Sequence, residues 1–139
     1  MHDPDCIFCK IVARQVPSSV LREDEAALAF LDIAPFEKGH ALVIPKLHVE
    51  RLTDLPADAL QRLMPLLRET ALLLCRGLPC DGFNILQSNG RCAAQVVPHV
   101  HFHVIPRWNG RPLKWTPGAY DTPAEMQALA ARLRVCAAG

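Results

Sequence analysis

The run His99-Val100-His101-Phe102-His103-Val104-Ile105 constrains this chain more than any other stretch. Three histidines recur at every second position, with apolar residues between and after them. Strict alternation predicts a β-strand, because successive strand side chains point to opposite faces. His99, His101 and His103 then share one face, and Val100, Phe102 and Val104 share the other. The apolar face suits a core. The histidine face does not, since it would bury several imidazoles that each need a polar partner. Three histidines in register read as a site rather than as packing.

At 139 residues, half of them apolar, the chain suits one domain with a real core, spanning residues 1–139. A formal net charge of +1 speaks against nucleic acid or a membrane surface as partner. The start Met1-His2-Asp3-Pro4-Asp5 lacks the basic-then-apolar order of a signal peptide. No apolar run approaches the ~20 residues that cross a bilayer. The expected location is the cytoplasm, where the six cysteines stay reduced.

Residues 6–12 carry apolar side chains at helical spacing, and Pro17 is the expected stop. Val20 to Glu23 and Ala26 to Ile33 predict two strands around an acidic turn. His40 to Ile44 predicts a third, and together they suggest a meander. Pro56 suits the first turn of a helix. From Ala59 to Leu78 the apolar positions fall on one helical face, with Pro65 expected to kink that helix or mark its true start. Phe83 to Gln87 predicts a strand ahead of a loop into the histidine run. Residues 108–139 read as an extended arm followed by an amphipathic helix from Pro123 to Val135.

Two constellations carry chemistry. A neutral imidazole is a nucleophile near neutral pH, with an unperturbed pKa of about 6.5. Attack on phosphorus splits one hard displacement into two easier ones through a covalent intermediate. The pair Cys6-x-x-Cys9 suggests zinc or redox chemistry. A thioredoxin-like motif would follow a strand, and none precedes it here. Two buried thiols on a short helix are the plain structural alternative. Cys75, Cys80, Cys92 and Cys136 lack paired spacing and read as structural.

The histidine run, with Phe30-Leu31-Asp32-Ile33, the stretch Lys38 to Lys46 and Gly90 to Gln95, resembles the histidine triad superfamily. The resemblance covers most of residues 6–107. It implies an α+β fold with a mainly antiparallel five-stranded sheet, one long helix and one or two short ones, and a homodimer whose sheets join. It implies a nucleotide hydrolase or transferase acting at the α-phosphate of nucleoside monophosphate conjugates, with a purine base and AMP as product. The nucleophile becomes His101. His103 is the candidate phosphate contact, and His40 helps hold the nucleophile unless it is a surface histidine at a strand end. Zinc-binding members add His48 and His99 to Cys6 and Cys9. Four such ligands close a tetrahedral shell, so that the zinc is structural.

The same resemblance offers Asp32 to the ribose and Ile7, Phe8, Ile11, Phe30 and Leu31 to the base, though each is plain core in an unrelated fold. Ser88 and Gln95 fall in the phosphate loop, with His101 and His103 completing the nucleotide contacts. Trp115 on the arm is placed to reach a dimer partner's site. Many relatives have Asn at Ser88, Gly at Ala94, and Ser or Thr at Val96. Ala94 adds a methyl where the backbone needs close approach or positive φ, and Val96 removes a hydroxyl. Other readings are a dinucleoside polyphosphate hydrolase, a purine-nucleotide-binding signalling module with little turnover, and a zinc-organised interaction domain. Nucleotidyl transfer to a sugar phosphate fits less well, since that branch has Gln in place of His103.

Overall fold

The computed structural model describes residues 2–136. The expected domain limits at residues 1 and 139, and the end of the arm at 137–139, lie outside the described residues. In chain order the elements are α1 (Ile7–Val12), β1 (Val20–Glu23), β2 (Ala27–Leu31), β3 (Ala41–Pro45), α2 (Ala57–Gly77), β4 (Gly82–Gln87), β5 (Phe102–Arg107) and α3 (Pro123–Cys136). The strands form one antiparallel sheet in the order β1-β2-β3-β5-β4. The expected meander is β1 to β3, and β5 inserts between β3 and β4.

β2 and β3 are buried along their whole length because both faces are covered. Ala29, Leu31, Val43, Phe102 and Val104 pack with Leu63, Leu67 and Leu74 of α2 and with Ala130 and Leu133 of α3. Leu28, Phe30, Leu42 and Ile44 meet Phe8, Cys9 and Ile11 of α1 on the other face. Pro65 lies inside α2 and does not mark its start. The burial of Leu63, Leu66 and Leu67 around it outweighs the one helical hydrogen bond it omits. Short 3-10 turns at Leu52–Asp54 and Arg91–Ala93, which the pattern does not announce, tighten the two loops beside β5.

α1 stops at Val12, ahead of Pro17. Arg14 takes φ 63°, and the amides of Gln15 and Val16 donate back to the Lys10 carbonyl. That closes the helix as a glycine cap would. Gly39, at φ +102°, turns the chain into β3, and a Cβ there would lie 2.4 Å from Leu78 Cδ1. No helix among the described residues is long and apolar enough to cross a membrane.

Candidate active site and metal cage

β5 begins only at Phe102, so His99 lies in a bend, where its amide donates to the Val97 carbonyl, His101 lies just ahead of the strand, and His103 alone is within it. The alternation survives without the full ladder. Phe102 and Val104 enter the core under α2, while His103 faces the α1 side. The expectation of an open histidine face is overturned: His99 and His101 are buried, and His40 is wholly buried at the start of β3 rather than exposed at a strand end. α1 covers this face, with the Phe8 ring edge-on to His99 and His101. Burial is tolerated because the imidazoles have polar partners.

Those partners fix the tautomers. His101 Nδ1 lies 2.7 Å from the His99 carbonyl, which can only accept, so Nδ1 carries the proton and Nε2 keeps its lone pair. His99 Nε2 lies 2.8 Å from the Pro45 carbonyl, which leaves His99 Nδ1 unprotonated. The Phe36 amide donates to His40 Nδ1 at 3.0 Å. His40 Nε2–H then donates to His103 Nδ1 at 2.8 Å, and His103 is left with an Nε2–H donor. His40 thus touches His103 rather than His101 directly. Burial pushes His40 down to about 4, reinforced by Arg107 and His101. Burial and the neighbouring His101 and His40 push His103 down to about 4 against the pull of Asp32. His101 is lowered by burial, with the His99 carbonyl and Asp32 opposing. All three rings are neutral at pH 7.

Cys6, Cys9, His48 and His99 converge beside this group, with one ligand atom from each within 4.8 Å of the others. Cys6 caps α1 and Cys9 lies one turn on, so the helix itself sets the sulfur positions. Cys6 Sγ is 3.4 Å from His99 Nδ1, Cys9 Sγ is 3.4 Å from His48 Nδ1, and the two Nδ1 atoms are 3.2 Å apart. Tetrahedral zinc with standard bond lengths requires about 3.5 Å between sulfur and nitrogen and about 3.3 Å between nitrogens. The donor set fits. His99 presents the unprotonated nitrogen a metal needs, because the Pro45 carbonyl occupies the other. Burial pushes the Cys6 thiol up, and a cation among the four groups would reverse that.

A cavity of about 750 Å³ opens in front of His101 and His103. Ile7, Phe8, Ile11, Phe30, Leu31, Asp32 and Ser88, the residues that the resemblance offers to a nucleotide, line it. Gln95 does not line it: its Oε1 accepts from Gly90 N at 2.6 Å, and its Nε2 donates to the Glu50 and Val97 carbonyls. The amide is engaged in shaping the loop. Ala94 adopts φ 70°, so of close approach and positive φ it is the latter that its methyl meets. Trp115 lines the cavity of its own chain, edge-on to Phe36 at 6.4 Å. Phe36 was not legible in the sequence. Its amide sets His40, and its ring lies nearly parallel to His103, a relation that exists only once Pro35–Gly39 folds against β5.

The HIT domain family model matches residues 13–110. An uncharacterized HIT-like protein of Methanocaldococcus jannaschii is 50% identical over 105 residues, 76% of this chain and 81% of that protein. The adenosine 5'-monophosphoramidase of Schizosaccharomyces pombe is 43% identical over 127 residues, 89% of this chain and 92% of that one. The crystal structure of a Zn-bound histidine triad family protein from Mycobacterium smegmatis superposes with a TM-score of 0.87 at 37% identity, covering 96% of this chain and 94% of that chain. With the buried triad already in place, these likenesses establish that the chain belongs to the histidine triad (HIT) family.

Proposed function

We propose that this enzyme is a phosphoramidase-type hydrolase that cleaves nucleoside monophosphate conjugates at the α-phosphorus through a nucleotidyl-His101 intermediate. The observation that carries the reading is the pair of tautomers: a buried Nε2 lone pair on His101 beside an Nε2–H on His103, both on one cavity. The similarity to an adenosine 5'-monophosphoramidase supports the reaction class and a purine substrate.

His101 Nε2 attacks phosphorus as the bond to the leaving group breaks. The ring becomes cationic, and its Nδ1–H bond to the His99 carbonyl strengthens in step. His103 Nε2–H donates to a phosphoryl oxygen where negative charge gathers, held in aim by His40. Water then attacks phosphorus, the P–Nε2 bond breaks and the nucleoside monophosphate leaves. Asp32 accepts from the ribose hydroxyls, and Ile7, Phe8, Ile11, Phe30 and Leu31 enclose the base. Ser88 lies at the phosphate, and Gln95 maintains the loop that carries it.

Cys6, Cys9, His48 and His99 would hold one structural zinc, whose chemistry is to bind α1 to the histidine segment. We read residues 1–139 as one domain, supported by Ala130 and Leu133 of α3 lying in the sheet's core. The assembly is a homodimer joined through the open β4 edge, with no nucleic-acid or membrane partner. The free cysteines suit the reducing cytoplasm.

The deciding experiment is acid-quench trapping of α-labelled AMP phosphoramidate on the protein, paired with His101→Ala. The expected result is an acid-labile adduct in the native protein. The variant should lose at least ~1,000-fold in turnover yet still bind AMP, since removing a covalent nucleophile costs far more than removing one contact. Near-native turnover in His101→Ala would sink the mechanism.

A further inference from the structure

A single peptide group stands between the C-terminal arm and the histidines. The Pro35 carbonyl accepts from the Gly118 amide of the arm at 2.7 Å. The N–H of the same peptide, that of Phe36, donates to His40 Nδ1 at 3.0 Å. The peptide is trans and planar, so its carbonyl and its N–H point in opposite directions and turn together. Whatever grips the Pro35 oxygen therefore also aims the Phe36 hydrogen. The turn is gripped again at its far end, where the buried Gly39 amide donates to Tyr120 Oη at 2.9 Å. Gly118 is matched to its approach: a Cβ there would lie 2.9 Å from the Pro35 oxygen, too close for either backbone to stay in place.

The chain of donors runs on to the reacting pair. With the Phe36 hydrogen on Nδ1, His40 carries its proton on Nε2 and donates to His103 Nδ1 at 2.8 Å, so His103 keeps its own proton on Nε2. Turning the Phe36 hydrogen away would free His40 Nδ1 to hold a proton. His40 Nε2 would then accept, His103 Nδ1 would have to donate, and His103 Nε2 would lose the hydrogen it offers to phosphate. One peptide rotation thus inverts two tautomers. The side-chain links between the same segments differ in kind. Lys38 Nζ pairs with Glu125 at 2.7 Å and Arg111 Nη1 with Glu37 at 3.4 Å. Both are ion pairs at the surface, which hold weakly and do not orient the peptide.

We propose that Gly118 and Tyr120 of the arm are positioning residues for the reaction, holding the Pro35–Phe36 peptide so that His40 and His103 keep the tautomers the phosphoryl group meets. The inference rests on the hydrolase reading and adds to it the device that sets its donor. Neither residue lines the cavity in front of His101, so both act through the peptide.

The test compares Gly118→Ala and Tyr120→Phe with Arg111→Gln in the full chain. Three quantities are read: single turnover of AMP phosphoramidate, AMP affinity, and the imidazole nitrogen NMR spectra of isotope-labelled protein. The rate constant at saturating substrate should fall about 10- to 100-fold in Gly118→Ala, the range that a displaced reacting group costs. It should fall about five- to tenfold in Tyr120→Phe, which loses one hydrogen bond. AMP affinity should be kept, because the relay serves the transition state. The spectra should show His40 and His103 protonated on Nε2 in the native protein, and an Nδ1-protonated form of both rings in the two variants. Arg111→Gln should match the native protein throughout. Tyr120→Phe keeps the ring's packing, and it decides the matter if Gly118→Ala does not fold. Native rates or native tautomers in a folded variant overturn the proposal while leaving the hydrolase reading intact. So does a rate loss matched by an equal loss of AMP affinity, or an equal loss in Arg111→Gln, since either marks a merely structural arm. Native protein that cleaves no phosphoramidate removes the hydrolase reading and the proposal together.

Discussion

Ala94 holds a left-handed backbone conformation in which an L side chain costs roughly 1–2 kcal/mol. Glycine removes that cost but gives the unfolded chain back ~0.4–1 kcal/mol of entropy. Ala94→Gly should therefore stabilise the fold by about 0.5–1 kcal/mol in urea unfolding, and a destabilised variant would mean the methyl is packed rather than strained. His40 makes a pH prediction. Folding holds it near 4, whereas an unfolded histidine titrates near ~6.5. The folded state thus favours the neutral ring. Its contribution is complete above the unfolded value and is lost as pH falls from there through 4. Native protein should lose of order 3 kcal/mol more than His40→Asn between pH 7 and pH 4. Equal losses in the two proteins would refute a buried neutral His40. Ala94 was legible because one methyl at a glycine position has a direct backbone meaning. The burial of His40 was not, because its partners Phe36 and His103 are joined to it only by tertiary folding.

At the scale of elements, α1 has six residues, too few for a helix to persist on its own. Phe8, Cys9 and Ile11 pack it against β2 and β3, and the Cys6–Cys9–His48–His99 cage would fasten its start. Removing zinc with a chelator, or changing Cys9→Ser, should lower Tm by about 10 °C or more. AMP affinity should fall in parallel, since Ile7, Phe8 and Ile11 of α1 line the cavity in front of His101. Metal-free protein that melts unchanged would exclude a structural zinc. The two cysteines were readable from spacing alone, whereas His48 and His99 stand 39 and 90 residues from Cys9 and needed a likeness to known proteins. The strand assignment to His99–Ile105 was right in its alternation and too long by three residues at its start, because period two marks side-chain direction and does not require a hydrogen-bonded neighbour.

At the scale of the molecule, the two sheet edges differ. β1 is held by Arg134, whose Nη1 donates to the Val20 carbonyl. β4 is the opposite edge, with Phe83 and Ile85 43% and 48% exposed. An apolar open edge invites another strand. Sedimentation equilibrium should give a dimer for the native chain and a monomer for Ile85→Lys, and a monomeric native protein would reject sheet-to-sheet assembly. The order of the sheet was legible only in part, since β5 enters between β3 and β4 by a long-range pairing that no local pattern encodes. One further feature links the scales. His99 aims its ring at the cysteines and its own carbonyl at the proton on His101. The two halves of one residue thus serve two duties that cannot drift apart in evolution. A descendant that discarded its cysteines would have to re-anchor that single peptide by packing before it could keep its chemistry, so loss of the cysteine–histidine cluster and retention of the reaction should be separated by compensating changes around Pro45 and His48.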